Sequence, residues 1–212
     1  MVIIGARGFA KEVLEIIYQN GNLENLVFYD DVNSDIGTHL YNIFPILKSK
    51  EDAKYYFENV DRSFTIGIGN PKLREKLYND FKAIGGKYVS TISKNAVIGS
   101  YSTMIGIGSN IMQNVVITND VSIGIGVVIN QISSIGHDVT IDDFCEICPN
   151  VSISGNCKLG KSVFIGTGAI ILPKIIIGNN VIIGAGAVVN KDLPDNCIAV
   201  GIPAKILKTK KT

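Results

Sequence analysis

The chain has 212 residues and a mass of 22.8 kDa, which is enough for one large domain or two small ones. Lysine and arginine number 20 against 19 aspartate and glutamate residues, so a net charge of +1 favours neither nucleic acid nor an anionic membrane as a partner. Because no long apolar run occurs and the N-terminal apolar stretch is too short for a secretory signal, we expect a cytoplasmic protein without a transmembrane helix.

The N-terminal part of the chain alternates between strand and helix patterns. The predicted strands are 2–4, 26–29 and 64–68, and the predicted helices are 9–17, 51–59 and 71–84. Pro71 suits the first turn of the last helix, where an N–H would have no partner within the helix. Such alternation is typical of a parallel α/β sheet, and we predict a Rossmann-like domain over residues 1–94.

Glycine-rich or acidic turns follow three of the predicted strands, at Gly5-Ala6-Arg7-Gly8, Asp30-Asp31 and Gly67-Ile68-Gly69-Asn70. Because the carboxyl ends of neighbouring parallel strands meet at one sheet edge, these turns predict a nucleotide-sized crevice, in which a helix N-terminus can bind phosphate. The candidate substrate-binding residues are Arg7, Gly8, Asp30, Asp31, Gly69 and Asn70. Tight turns and a solvated strand end are the alternative. An NAD fingerprint would need glycine at positions 7 and 10, where this chain has arginine and alanine.

The second half of the chain repeats a six-residue unit. Large aliphatic residues recur at every sixth position from Ile105 to Val189 without exception, and small or β-branched residues precede nearly all of them by two positions. One such unit cannot bury its own apolar face, so units must stack on their neighbours. Three units close a coil of eighteen residues, which predicts a parallel β-helix over residues 95–212, with an irregular earlier coil at Ile98-Gly99.

Glycine, asparagine or aspartate often follows the repeated aliphatic residue. Gly106, Gly136, Gly166 and Asn130 are examples. These residue types tolerate turns and positive φ, so we expect the corners of the coil at this position.

His137 and Asp138 are the main candidates for chemistry. Of the two histidines, His39 lies in a polar stretch and is interpreted as a surface residue, whereas His137 follows an inward aliphatic residue by two positions and projects outward. Gly155 lies one coil further on and leaves open surface beside the imidazole. A neutral imidazole is a suitable general base for an amine or hydroxyl that attacks an acyl group, and Asp138 could orient it. A solitary surface histidine is the alternative.

Several segments of the repeat together resemble the hexapeptide acetyltransferases. They are Ile129-Asn130, Ile135-Gly136-His137-Asp138, Ser154-Gly155-Asn156, Ile165-Gly166-Thr167, 184–189, 191–194 and 201–205. With the N-terminal turns included, the whole chain resembles the branch that contains the sialic-acid O-acetyltransferases and the bacterial nucleotide-amino-sugar N-acetyltransferases. The resemblance implies that the β-helix is left-handed, an exception to the usual handedness of parallel crossovers.

The resemblance also implies the roles of individual residues. In that family the N-terminal domain binds the nucleotide sugar, and acetyl-CoA lies along the β-helix between two subunits of a homotrimer. By resemblance, His137 is the catalytic base, Asp138 its acidic partner and Asn130 a nearby polar contact. The implied acetyl-CoA contacts are Gly155, Gly166, Thr167, Ala185, Pro203 and Lys205. The repeat independently places Thr167 and Ala185, eighteen residues apart, in one column along which a pantetheine arm could run.

We therefore expect an acetyl-CoA-dependent acyltransferase that acts on the amino group of a nucleotide-activated amino sugar, in bacterial surface glycan biosynthesis. Sialic-acid O-acetylation is one alternative, and a non-catalytic β-helix module that binds nucleotide sugars is another. Two positions depart from the family pattern. Phe9 stands where members often have histidine, and Glu146 stands where some amino-sugar enzymes have a second histidine.

The cysteines and the C-terminal lysines complete the candidate residues. Cys145 and Cys157 occupy the small inward position and Cys148 a corner, without the paired spacing of a zinc site, and two histidines cannot supply a three-histidine site, so no metal is expected. Lys208, Lys210 and Lys211 could reach the phosphates of CoA, although a solvated tail is the preferred interpretation.

Overall fold

The computed structural model describes residues 1–209 and divides into two compact units. The first comprises Met1–Thr91, and the second begins at Ile92. The division precedes the predicted boundary at residue 94, because the backbone N–H of Ser93 already donates to the Ile111 carbonyl at 2.9 Å within the β-helix. Within residues 1–209, no helix is both long and apolar enough to cross a membrane. Lys210 and Lys211 lie outside the described residues.

The first unit is built on one six-stranded sheet. Its strands are β1 Val2–Ile4, β2 Val27–Tyr29, β3 His39–Leu40, β4 Phe44–Leu47, β5 Ser63–Ile66 and β6 Lys87–Tyr88. The spatial order is β3-β4-β2-β1-β5-β6, and the strands pair in parallel except for β3, which is antiparallel to β4. The predicted α/β class is confirmed.

Three α-helices accompany this sheet, and a short 3₁₀-helix spans Ser34–Ile36. The α-helices are α1 Gly8–Gln19, α2 Lys50–Asn59 and α3 Pro71–Ala83. They form where the sequence predicts them. Helix α1 has a buried apolar stripe. Helix α2 follows the N-cap Ser49, whose hydroxyl accepts a hydrogen bond from the Asp52 N–H at 3.1 Å. Phe28 is fully buried in the apolar cluster beside α1, and Phe64 and Phe81 are fully buried against each other, with ring centroids 5.9 Å apart.

The β3–β4 hairpin is not predicted by the sequence patterns. Its strands bury only Leu40 and Ile46, so no alternation is visible, and β4 contains a proline. The hairpin turns at Tyr41 and Asn42, both with positive φ. His39 lies in β3 and is exposed, as expected for a surface residue.

From Thr91 onward, the described chain forms three sheets of short strands, which are the sides of a β-helix. The first sheet contains Thr91–Ile92, Asn110–Ile111, Val128–Ile129, Glu146–Ile147, Phe164–Ile165, Ile182–Ile183, Cys197–Val200 and Lys205–Thr209. The second contains Val97–Ile98, Val116–Ile117, Ser134–Ile135, Ser152–Ile153, Ile170–Ile171 and Val188–Val189. The third contains Met104–Ile105, Ser122–Ile123, Thr140–Ile141, Lys158–Leu159 and Ile176–Ile177.

The repeated aliphatic residues form an inward row in this β-helix. Each is the second residue of a two-residue strand, and from Ile111 to Val189 none is more than 3% exposed. The preceding row, from Ser109 to Ala187, is buried as well. Ile117 pairs with Ile135, eighteen residues later, whereas Ile98 pairs with Ile117, nineteen residues later. The predicted β-helix and its irregular first coil are therefore confirmed.

The corners of the coil turn at a different position from the one expected. Positive φ recurs at every sixth residue from Gly108 to Gly186, with values of 54–72°, three residues after each aliphatic residue rather than directly after it. The glycines directly after the aliphatic residues are needed for close approach instead. A β-carbon at Gly106 would lie 2.4 Å from the Gly124 carbonyl oxygen, and one at Gly166 would lie 2.5 Å from the Ala185 nitrogen.

Candidate active site

The three predicted turns of the N-terminal unit follow neighbouring strands at one edge of the sheet. Gly5–Gly8 follows β1, Asp30-Asp31 follows β2, and Gly67–Asn70 follows β5. A cavity of about 200 Å³ lies at this edge, and both Asp30 and Asp31 line it together with mainly apolar residues. The cavity is lined by Ile4, Gly5, Tyr29, Asp30, Asp31, Val32, Asn33, Ile68, Leu73 and Leu77. The crevice expected at the carboxyl ends of the strands is therefore present.

Asp30 holds two of these turns together. It is 6% exposed, and its Oδ2 accepts from the Ala6 N–H at 3.3 Å and from the side-chain amide of Asn33 at 2.9 Å. Its Oδ1 accepts from the backbone N–H groups of Val32 and Asn33 at 3.2 and 2.9 Å. Asp31 is exposed at the same edge. Asp30 thus organises the crevice with its carboxylate engaged by the protein, and Asp31 is the better placed of the two to accept from a ligand.

The other candidate residues of the crevice have protein partners of their own. The Arg7 guanidinium pairs with the exposed Asp35 carboxylate of the 3₁₀-helix. Asn70 is the N-cap of α3, and its Oδ1 accepts from the Leu73 N–H at 3.0 Å. Gly8 is the exposed first residue of α1, whose first turn has no side-chain cap. The backbone N–H groups of this first turn are therefore available to bind an anion.

Arg74 supports the turn after β5, and the sequence did not single it out. It lies in α3, it is 0% exposed, and its Nη1 donates to the Ile68 carbonyl at 3.1 Å and to the Gly69 carbonyl. The guanidinium therefore fixes the turn between β5 and α3. A charged residue in an amphipathic helix normally predicts a solvent-exposed position, so the sequence carried no signal for this role.

His137 and Asp138 form an exposed pair on the β-helix. His137 follows the second-sheet strand Ser134–Ile135, and its Nδ1 lies 2.6 Å from Oδ2 of Asp138. The two side chains are 64% and 52% exposed. Asp138 occupies a corner with φ of 58°. A proton on Nδ1 shared with Asp138 leaves the lone pair of Nε2 available to accept a proton from an attacking group.

Asn130 lies at a different corner from His137. It follows the first-sheet strand Val128–Ile129, is 6% exposed, and donates from its side-chain amide to the Ile147 carbonyl at 3.0 Å. Its amide thus bonds to the next coil, and the role of a nearby polar contact, which the resemblance implies for Asn130, stays a prediction.

The residues expected to contact acetyl-CoA also divide between two corners. Gly155 shares the corner of His137, after the second sheet, whereas Thr167 and Ala185 are exposed on successive coils after the first sheet. Gly166 beside them is buried against the next coil. Pro203 and Lys205 are exposed in a segment that the Ala204 N–H joins to the Val188 carbonyl at 2.8 Å. Thr167 and Ala185 form a strip without bulky side chains, which suits an extended pantetheine chain.

Three of the four cysteines are buried. Burial, with a smaller contribution from the Glu146 carboxylate, raises the pKa of the Cys148 thiol to about 12, so it is no thiolate nucleophile at neutral pH. Cys145 and Cys157 are buried in the inward row, as predicted. Among the described residues, no group of three or more histidine, cysteine, aspartate or glutamate side chains could hold a metal ion.

Comparisons with known proteins agree with this division into two units. Residues 1–81 match the family model of the PglD N-terminal domain, and residues 156–191 match that of the bacterial transferase hexapeptide. PerB from Caulobacter crescentus, solved in complex with CoA and GDP-perosamine, is 32% identical, with a TM-score of 0.89 over 98% of this chain and 96% of that chain. The acetyltransferase domain of PglB from Neisseria gonorrhoeae, solved with acetyl coenzyme A, is 31% identical, with a TM-score of 0.87 over 97% of this chain and 98% of that chain.

Curated relatives match over a shorter segment. A putative acetyltransferase of Schizosaccharomyces pombe is 51% identical over 45 residues, which are 21% of this chain and 22% of that protein. The galactoside O-acetyltransferase of Lactococcus lactis is 42% identical over 43 residues, which are 20% of this chain and 21% of that protein. The matches thus span about a fifth of these relatives, whereas the solved structures match almost end to end.

The fold of the second unit is that of the hexapeptide-repeat acyltransferases. The end-to-end similarity then settles the branch. The chain belongs to the hexapeptide acetyltransferases that carry a PglD-type N-terminal domain, the family of the nucleotide-amino-sugar acetyltransferases.

Proposed function

We propose that this protein transfers the acetyl group of acetyl-CoA to the amino group of a nucleotide-activated amino sugar. The observation that carries the proposal is the 2.6 Å contact between His137 Nδ1 and Asp138 Oδ2, which leaves Nε2 of an exposed imidazole available as a base. PerB, which is similar over nearly the whole chain, was solved with CoA and GDP-perosamine, and this similarity favours an amine over a hydroxyl as the acceptor.

In the proposed reaction, the amino nitrogen of the sugar attacks the carbonyl carbon of the acetyl thioester while His137 Nε2 takes the proton of the amine. The tetrahedral intermediate then collapses, the carbon–sulfur bond breaks, and the CoA thiolate receives the proton from the imidazolium. The products are the N-acetylated sugar and free CoA thiol. Asp138 orients the ring and stabilises its positive charge between the two proton transfers.

The N-terminal crevice would hold the nucleotide. The uncapped first turn of α1 offers backbone N–H groups to the diphosphate, and the exposed carboxylate of Asp31 can accept from a ribose or base. Arg7 could also reach the diphosphate if it leaves Asp35, because both side chains of that pair are exposed, at 53% and 70%. Acetyl-CoA and a nucleotide sugar as the proposed substrates support a reaction in the cytoplasm.

The acetyl-CoA site would be completed by a second copy of the chain, in a homotrimer. This proposal is supported by the separation of His137 and Gly155 from Thr167 and Ala185, which lie at different corners of one β-helix. A neighbouring subunit that packs against the His137 corner can supply its own strip of small residues as the opposite wall. Cyclic three-fold symmetry closes such a contact without an open filament.

The test is an acetyl-transfer assay with matched acceptors. The protein is incubated with acetyl-CoA and with UDP-, GDP- or dTDP-linked amino sugars or with free sialic acid, and both released thiol and acetylated sugar are measured. We expect thiol release with a nucleotide amino sugar and a product acetylated on nitrogen. Release with sialic acid alone would identify an O-acetyltransferase. Tight nucleotide-sugar binding with no transfer to any acceptor would identify a non-catalytic binding module.

A further inference from the structure

The imidazole of His137 lies over the backbone of Gly155, in the space that a side chain at residue 155 would occupy. A β-carbon built on Gly155 would be 2.6 Å from Nε2 of His137, 2.7 Å from Cε1 and 3.1 Å from Cδ2. All three of its nearest neighbours are therefore atoms of this one ring. At Gly136 and Gly166, by contrast, the nearest atoms belong to the backbone of the next coil, so those glycines serve coil stacking.

The hydrogen bond to Asp138 does not by itself fix the ring. Both partners are more than half exposed, and an exposed pair of this kind contributes little to stability. The bond holds Nδ1, but rotation about the bonds of the side chain can still move Nε2. Contact with the flat backbone at Gly155 limits that motion from the opposite edge of the ring.

We infer that Gly155 is a positioning residue for the general base, and this inference rests on the proposed function. Because Gly155 has no side chain, the His137 ring can pack against the coil, and Asp138 and Gly155 together determine the position of Nε2. Any β-carbon at residue 155 would push Nε2 away from the position of the attacking amine. This role is distinct from the acetyl-CoA contact that the resemblance implies for Gly155.

The substitution Gly155→Ala separates these roles because the fold should tolerate it. Gly155 does not have the left-handed φ that would strain alanine, and the three atoms nearest to the added β-carbon all belong to the movable side chain of His137. Since a misplacement of about 1 Å can cost about 10²-fold in rate, we expect kcat to fall about 10²-fold with little change in KM for either substrate. A rise in KM for acetyl-CoA at unchanged kcat would overturn the inference.

The double variant with His137→Ala shows whether Gly155 acts through the histidine. If it does, Gly155→Ala should cause no further loss of rate in the His137→Ala background, because the ring that it displaces is already absent. Multiplied losses in the double variant would show an independent role in structure or CoA binding, and would overturn the inference.

An NMR measurement tests the contact without any activity. The chain has two histidines, so His39→Gln leaves His137 as the source of imidazole signals. In that background Gly155→Ala should shift the ring ¹⁵N and Cε1–H resonances of His137, while Lys158→Ala, at an exposed strand position three residues away, serves as the control. Unchanged resonances on Gly155→Ala would overturn the contact. A clear shift in a protein that acetylates no sugar would instead show that the proposed function, and not the geometry, is wrong.

Discussion

The carboxylate of Asp30 accepts a hydrogen bond from the backbone N–H of Ala6 at 3.3 Å and so joins the turn after β2 to the turn after β1. Asp30→Ala would also leave the N–H groups of Val32 and Asn33 without this acceptor. We expect a loss of about 1–3 kcal/mol in the free energy of unfolding, measured with urea, together with weaker nucleotide-sugar binding and unchanged acetyl-CoA binding.

Asp31→Ala is the matched change at the neighbouring exposed residue. It should alter the free energy of unfolding by less than about 0.5 kcal/mol, because the residue is exposed, yet weaken nucleotide-sugar binding in calorimetry. Full affinity in the Asp31→Ala variant would contradict its assignment to the crevice.

His137→Ala should lower kcat by roughly 10²–10⁴-fold, the usual contribution of a general base. The side chain is 64% exposed, so thermal unfolding and CoA binding should be nearly unchanged. His39→Ala is the control, since its imidazole lies on β3 of the other unit, and it should retain full activity. Full activity in the His137→Ala enzyme would refute the assignment of the base.

Two substitutions of Asp138 test the effect of its carboxylate charge separately from the effect of its backbone conformation. Its φ is 58°, a conformation that asparagine tolerates better than alanine. Asp138→Asn should therefore reduce kcat with little loss of stability, whereas Asp138→Ala should reduce kcat and also lower the melting temperature. Equal activity in the Asp138→Asn variant and the parent would show that the carboxylate charge has no part in catalysis.

The oligomeric state is accessible by light scattering at micromolar concentration. We expect a mass of about three times the 22.8 kDa chain. Ala185→Trp, on the strip of small residues, should raise KM for acetyl-CoA at an unchanged mass. A fully active monomer would show that each site is built within one chain.

Ile132 is a β-branched residue in the left-handed conformation, with φ of 64°, and it is 63% exposed. That conformation costs roughly 1–2 kcal/mol for a residue with a β-carbon, and less for asparagine. Ile132→Asn should raise the free energy of unfolding by about 1 kcal/mol, and Asn150→Ile, at the same corner one coil later, should lower it by a similar amount. A destabilised Ile132→Asn variant would indicate that another subunit buries the isoleucine.

The repeat made the β-helix predictable because its inward row has an unbroken six-residue period, from Ile105 to Val189. His137 was recognisable for a related reason, since a histidine two residues after an inward position must project outward. The purpose of the glycines was harder to predict. Positive φ and close approach both favour glycine, and only the structure separates Gly168, with φ of 70°, from Gly166, which is packed against the Ala185 nitrogen.

The position of the crevice was predictable, but the roles of the residues around it were not. Three turns at one sheet edge follow from the alternation of strands and helices, whereas the partner of each side chain depends on distances that no pattern records. Asn70 carried a usable signal, because asparagine before a first-turn proline is typical of a helix N-cap. Arg74 carried no such signal, because the hydrogen bonds from its guanidinium to the Ile68 and Gly69 carbonyls form only once the chain is folded.

The nineteen-residue step from Ile98 to Ile117 shows how this architecture can acquire new parts. The extra residue is absorbed at the corner between Ile98 and Ile105, and the next pairing, Ile105 with Ile123, is already regular. Insertions at a corner therefore leave the inward rows in register, so a corner is a place where a loop or a peptide tag can be grafted. The exposed corner at Tyr101 and Ser102 is the natural point for such engineering.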